Sequence, residues 1–144
     1  MKKLFISLIA VICVSNALAA PAGWLTDYQR ALKQARQEKK SLLVLFTGSD
    51  WCPGCKKLAK EALDKKEFME FAAKNLVLVY LDSPRGRELS SHERQQLTTL
   101  HRQLAPGPYI PATVIVGNDG KVRARIIGAY QLDSYLQKIS GALK

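Results

Sequence analysis

The chain has 144 residues, 47% hydrophobic and 24% charged, with 22 basic residues against 12 acidic ones for a formal net charge of +10. That length and balance fit one globular domain with a real core, and no repeat, low-complexity tract or second domain is visible. A basic balance can favour acidic partners or anionic surfaces, but no basic run is interleaved with aromatics, so a solvated face is preferred to nucleic-acid binding.

Residues 1–19 read as a secretory signal peptide rather than as fold. Lys2 and Lys3 are followed by the apolar run LFISLIAVICV and by the small residues ALA at 17–19, the layout a signal peptidase uses. Cleavage is expected after Ala19, because a cut after Ala20 would put Pro21 just past the scissile bond. The apolar run is short for a membrane span, which disfavours an uncleaved anchor. Ile12 is bulky where a lipoprotein signal takes a small residue before its cysteine, which disfavours lipid attachment at Cys13. Removing the segment leaves one domain, 20–144, with 20 basic residues against 12 acidic ones, a balance of +8. The expected location is the periplasm or another site outside the cytoplasm, where disulfides persist.

TDYQRALKQARQEKK (26–40) has helical periodicity, with Leu25, Tyr28, Leu32 and Ala35 on one face and Thr26 with Gln29 as a capping box. SLLVLFT (41–47) is a continuous apolar run, the pattern of a strand covered on both faces. CPGCKKLAKEAL (52–63) reads as a helix with Leu58, Ala62 and Leu63 inward, and Asp64 with Glu67 suggests a second capping box opening KKEFMEFAAKN. LVLVYLD (76–82) is a second buried-type strand that ends at Ser83-Pro84. The polar SPRGRELSSHERQQ loop enters a helix at Ser90 or Ser91, which should run to about Leu104 and stop before Pro106. ATVIV and KVRARIIG flank Asn118-Asp119-Gly120, a hairpin signal, and QLDSYLQKISGAL closes the chain as an amphipathic helix. Alternation of strand and helix implies a parallel pair joined by a crossover, and the hairpin adds an antiparallel edge. The expected fold is α/β: a mixed, mainly four-stranded sheet with helices on both faces.

Cleavage removes Cys13 and leaves Cys52 and Cys55, separated by Pro53 and Gly54 in the stretch WCPGC. A bond across two residues closes a very small loop and restrains little of the unfolded chain, which argues against a structural staple. A closed zinc site takes four ligands, and the two histidines, His92 and His101, are nine positions apart in a polar stretch; no metal is expected, and a solvated surface role is the default for both. A redox pair remains. Cys52 falls at the N-cap of a helix, with Pro53 at its first position, where a missing N–H costs nothing. The Cys52 sulfur then faces unpaired backbone donors and the positive end of the helix, which lower a thiol below its free pKa of about 8.5. The N–H of Gly54, absent where proline takes that place, is expected to point at this sulfur. Cys52 would attack a substrate disulfide, and Cys55, one turn along and deeper, would resolve the mixed disulfide.

A buried strand, then Trp-Cys-x-x-Cys opening a helix, then YIPATVIV before a hairpin and a last helix resembles the thioredoxin family over roughly Trp24 to Lys144. It looks most like small exported members that carry GSDWC. The resemblance implies a thioredoxin-like fold and thiol–disulfide oxidoreductase activity without a cofactor. It gives Cys52 and Cys55 the same two roles, and places Trp51, Ile110 and Pro111 at the substrate. Pro111 matches the family's cis-proline, beside which the backbone of Ile110 would pair with an extended substrate. Protein disulfides or dithiols are the implied substrates, a membrane-bound electron donor the implied partner, and a monomer the implied state. A reductase is favoured. The alternatives are a dithiol oxidase or isomerase of the same fold, or a non-catalytic binding module or metal carrier. Two departures stand out. Phe46 occupies the place of the buried acid that serves the resolving cysteine in many members, and neither Asp50 nor Asp82 is assigned its role. Cys55 and Pro111 are 56 positions apart, longer than in compact members, with the excess expected in Arg85–Leu104.

Overall fold

The computed structural model describes residues 20–105 and 107–143; the expected signal peptide and Cys13 lie outside them. The sheet is built from β1 (Trp24–Leu25), β2 (Ser41–Thr47), β3 (Leu76–Asp82), β4 (Ala112–Val116) and β5 (Val122–Ile127), in the order β1-β3-β2-β4-β5. Strands β1 and β2 run parallel to β3, whereas β4 runs antiparallel to β2 and to β5. The helices are α1 (Tyr28–Glu38), α2 (Pro53–Leu58, continued by a π-helical turn over Ala59–Leu63), α3 (Lys66–Asn75), α4 (Ser91–Leu104) and α5 (Leu132–Ala142). None of them is long and apolar enough to cross a membrane.

The expected order of elements is present, with one strand more than expected. β1 is two residues long, with Trp24 opposite Leu78 and Leu25 opposite Val79. No periodicity can show in two residues. Both expected capping boxes also shift. At α1 the N-cap is Asp27, whose carboxylate accepts from Arg30 N at 2.7 Å. Thr26 instead gives its carbonyl to the Gln96 side chain at 2.9 Å, while Gln96 Oε1 accepts from Tyr28 N at 2.9 Å, so one α4 side chain pins the start of α1. At α3 the N-cap is Lys65, with no side-chain cap bond. The wide π turn takes up Asp64, whose N–H donates to Ala59 O at 2.9 Å and closes the preceding helix. At α4 the helix starts where expected, and a capping box not singled out from the sequence, Ser90 with Glu93, holds its start.

Alternation along the central strands divides the core into two layers. Leu43, Leu45, Leu76, Leu78 and Ile115 pack with Leu58, Phe68, Tyr135 and Ile139 from α2, α3 and α5. Leu42, Val44, Val77, Val79 and Val114 pack with Tyr28, Ala31 and Ala35 of α1 and with Leu100 and Leu104 of α4. Each large apolar side chain removed from water contributes about 1.5–3 kcal/mol, which is why the uninterrupted runs of β2 and β3 fix the middle of the sheet. The fully buried Tyr135 hydroxyl shares a 2.7 Å hydrogen bond with Thr113 Oγ1, and burial pushes its phenol well above the usual pKa.

Candidate active site

The C-terminal ends of β2 and β3 and the N-terminal end of β4 meet at one edge of the sheet, with Phe46 opposite both Leu81 and Ala112. The chain leaves β2 at Thr47 and turns through Gly48, whose carbonyl accepts from Cys52 N at 2.9 Å. Glycine is required here by space. A Cβ on Gly48 would lie 2.6 Å from the Trp51 ring, inside any real contact distance. Cys52 has extended geometry (φ −84°, ψ 112°) and caps α2, with Pro53 following in the first turn.

Cys52 and Cys55 are joined in a disulfide, with Cα atoms 5.2 Å apart. The backbone N–H that reaches Cys52 Sγ, at 3.2 Å, belongs to Cys55. The expectation that Gly54 supplies this donor is therefore corrected: of the two positions that can meet an N-cap acceptor, the second and third of the helix, the third, Cys55, does so here and the second, Gly54, does not. A neighbouring feature explains glycine at this place. A Cβ on Gly54 would stand 3.2 Å from Pro111 Cδ, so the bare backbone lets Pro111 pack against the start of the helix. The expectation that Cys55 lies deeper also changes, since Cys52 and Cys55 are 5% and 4% exposed. Their surroundings differ instead. Gly48 N–H points at Cys55 Sγ from 3.4 Å, while Cys52 Sγ lies 4.0 Å from the carbonyl oxygen of Ile110. In the disulfide the latter sulfur has no proton to donate, so that approach is a contact. The Cys55 amide at the start of α2, by contrast, points at Cys52 Sγ.

The Ile110–Pro111 peptide is cis, and the Pro111 carbonyl accepts from Gly128 N at 2.9 Å across the β4–β5 end. Every residue expected at the site, Trp51, Cys52, Pro53, Gly54, Cys55, Ile110 and Pro111, thus belongs to this one edge.

Phe46 is buried at 1% exposure, and among the described residues no Asp or Glu is buried. Asp50 accepts from Arg85 N (3.0 and 3.1 Å) and from Gly86 N (2.6 Å), and the Arg85 bond is the first cause holding its carboxyl below the usual range. Asp82 accepts from the Ser49 amide at 2.9 Å and from its hydroxyl at 2.5 Å. Both acids therefore fasten the end of β3 and the segment after it to the redox turn. Trp51 does the same, donating Nε1–H to Ser83 O at 2.7 Å with the Arg85 guanidinium 4.0 Å over its ring. Farther along, Arg87 makes a two-point pair with Glu93, at 2.9 and 3.3 Å. That pair, with the Ser90 N–H behind it, lowers the Glu93 carboxyl to about 2.

The links of Asp50, Asp82 and Trp51 join residues more than 30 positions apart, and no local pattern announces them. His101 is different. Its ring stands edge-on to Phe46 at 5.1 Å, half-buried beside the site, which corrects the expected solvated role. The signal was available, because Leu97, Leu100, His101 and Leu104 recur at i, i+3, i+4 and i+7, one helical face. His92 is exposed and reaches toward Asp27, 3.9 Å away.

Residues 28–142 match the family model described as a thioredoxin-like domain. The disulfide bond reductase DsbH of Chlamydia pneumoniae is 33% identical over 131 residues, covering 88% of this chain and 75% of that protein. A solved DsbH oxidoreductase superposes with a TM-score of 0.73 at 29% identity, covering 87% of this chain and 90% of that one. A thioredoxin from Thermus thermophilus shares the fold, with a TM-score of 0.62 at 18% identity over 81% of this chain and 83% of its own.

Proposed function

The chain belongs to the thioredoxin-like family and is a thiol–disulfide oxidoreductase, and from that premise we propose that it is exported and reduces disulfides in protein substrates. The observation that carries the mechanism is the Cys52 sulfur held at a helix start, under the Cys55 N–H and beside the Ile110 carbonyl. The Cys52 thiolate attacks one sulfur of the substrate disulfide, and the other sulfur leaves as a thiolate. Cys55 then attacks Cys52 Sγ, freeing the substrate as a dithiol and leaving the Cys52–Cys55 disulfide. Two electrons from a donor, in this reading a membrane-bound one, restore the dithiol. The backbone of Ile110 and the face of Trp51 hold an extended substrate during the exchange, and the protein acts as a monomer. Direction rests on the likeness to a relative named a disulfide bond reductase, and export on the layout of residues 1–19.

Insulin reduction by dithiothreitol, followed as turbidity, tests the activity: acceleration well above the uncatalysed rate is expected, and none contradicts it. Alkylation of the protein in intact cells tests direction and export together. A reductase rests with Cys52 and Cys55 reduced and residues 1–19 absent. A pair found oxidised at rest favours the oxidase alternative.

A further inference from the structure

A groove of about 740 Å³ opens beside the redox pair, within the size range of clefts that hold ligands. One wall is the mouth of the site, Trp51 and Ile110; the other is α4. Helix α4 has two jobs to divide between its faces. Leu100 and Leu104 are buried against the sheet, while Leu97 and His101 at the margin of that face, with Thr98 and Arg102 beside them and Ala105 just past the helix end, line the groove. The floor is apolar, with Phe46, Leu97 and Ile110, and the polar groups sit toward the rim.

The fixed charge around the groove is positive. No Asp or Glu is among its described lining residues, whereas the exposed Arg102 is, and Arg85 lies over the Trp51 ring at the mouth. Of the acids in the adjoining segments, Asp50 is engaged by the Arg85 and Gly86 amides, Asp82 by Ser49 and Glu93 by Arg87, while Glu88 is exposed and does not line the groove. The groove is also continuous with the chemistry. Ile110 lines it and presents its carbonyl 4.0 Å from Cys52 Sγ, so a polypeptide joined to Cys52 would run directly into it.

We infer that this groove is a specificity subsite for the substrate polypeptide, taking an apolar side chain close in sequence to the reacting cysteine, with an acidic residue next to it paired to Arg102 at the rim. The inference rests on the oxidoreductase reading above. Phe46 supplies the apolar floor on which His101 packs.

Four peptides test it, each carrying one cysteine as a mixed disulfide with a chromophoric thiol: Phe-Asp or Gly-Lys placed on either side of the cysteine. The reduced protein is mixed with each, and the second-order rates are compared as ratios within one protein, so that a general loss of activity cancels. In one of the two placements Phe-Asp should react about ten times faster than Gly-Lys, the discrimination expected of one apolar pocket and one rim charge. Arg102→Glu should bring that ratio to about one or below, and Thr98→Trp, which fills the groove from the exposed face of α4, should lower it to the part that the rim charge alone supplies. Both sites are exposed, so the fold should tolerate the changes. Wild-type protein that reduces all four peptides at one rate overturns the subsite alone, as does a preference that survives both substitutions. Wild-type protein that reduces neither peptides nor insulin overturns the oxidoreductase reading, and the subsite with it.

Discussion

The middle of the sheet and its reactive edge are made from the same strands and obey different rules. In the middle, β2, β3 and β4 bury nearly every side chain, and the single polar pair, Thr113 with Tyr135, satisfies itself. At the edge, where β2 and β3 end and β4 begins, the chain departs into three segments whose contacts are polar and specific: Cys55 N–H on Cys52, Trp51 on Ser83, Asp50 on Arg85 and Gly86. The middle is interchangeable material, in which size and apolarity suffice. The edge depends on individual atoms. Stability and activity should therefore separate cleanly between the two, and substitutions can be chosen to break that separation.

The largest effect belongs at the edge. Cys52→Ala should lower disulfide reduction at least a thousandfold, since the attacking atom is gone. Chemical denaturation should show a stability change of no more than about 2 kcal/mol relative to the oxidised protein, because so small a loop restrains the unfolded chain little. In the middle the pattern should invert. Phe68 is fully buried between Trp24 and Tyr135, with ring centroids at 6.3 and 6.0 Å. Phe68→Ala should cost about 3–5 kcal/mol in urea unfolding, with reduction per folded molecule near that of the wild type.

Tyr135→Phe sharpens the same point with one atom. It leaves the Thr113 hydroxyl buried without its partner, and should cost about 1–2 kcal/mol with little effect on the redox pair. The smallest effect is expected from Glu93→Gln, at the foot of the segment that clamps the edge. The Glu93 carboxyl is lowered from 4.5 to about 2 in the folded protein, first by Arg87. A lowered carboxylate stabilises the fold above its unfolded pKa and loses that contribution as the pH falls through its folded value. Because the side chain is 41% exposed, solvent screening limits the pair to under about 1 kcal/mol. Wild type and Glu93→Gln should differ by that amount at pH 7 in thermal unfolding, and the difference should shrink between pH 4.5 and pH 2.

The same division explains what could be read from the chain in advance. SLLVLFT, LVLVYLD and ATVIV declare the buried middle because burial on both faces writes itself as uninterrupted apolar runs, and Asn118-Asp119-Gly120 declares the hairpin. WCPGC and Ile110-Pro111 declare the edge through a motif, since their chemistry needs particular residues in order. What stayed hidden was of two kinds. β1 is too short to carry a period. The clamps that Asp50, Trp51 and Asp82 make between the redox turn and the end of β3 depend on a crossover that brings distant residues together, and Asp50 or Asp82 in isolation looks like any surface acid. Capping moved by a residue at α1 and α3 because Gln96 and the π turn, both outside the local window, decided which residue was available.

The claim that Cys52 attacks and Cys55 resolves is tested most directly by trapping. Each single variant, Cys55→Ala and Cys52→Ala, is reduced, mixed with a disulfide-bonded peptide, and weighed intact by mass spectrometry. The account predicts that Cys55→Ala accumulates a covalent adduct of the peptide on Cys52, because nothing is left to resolve it, and that Cys52→Ala accumulates none. An adduct on Cys55 in the Cys52→Ala protein, with none in Cys55→Ala, would contradict it.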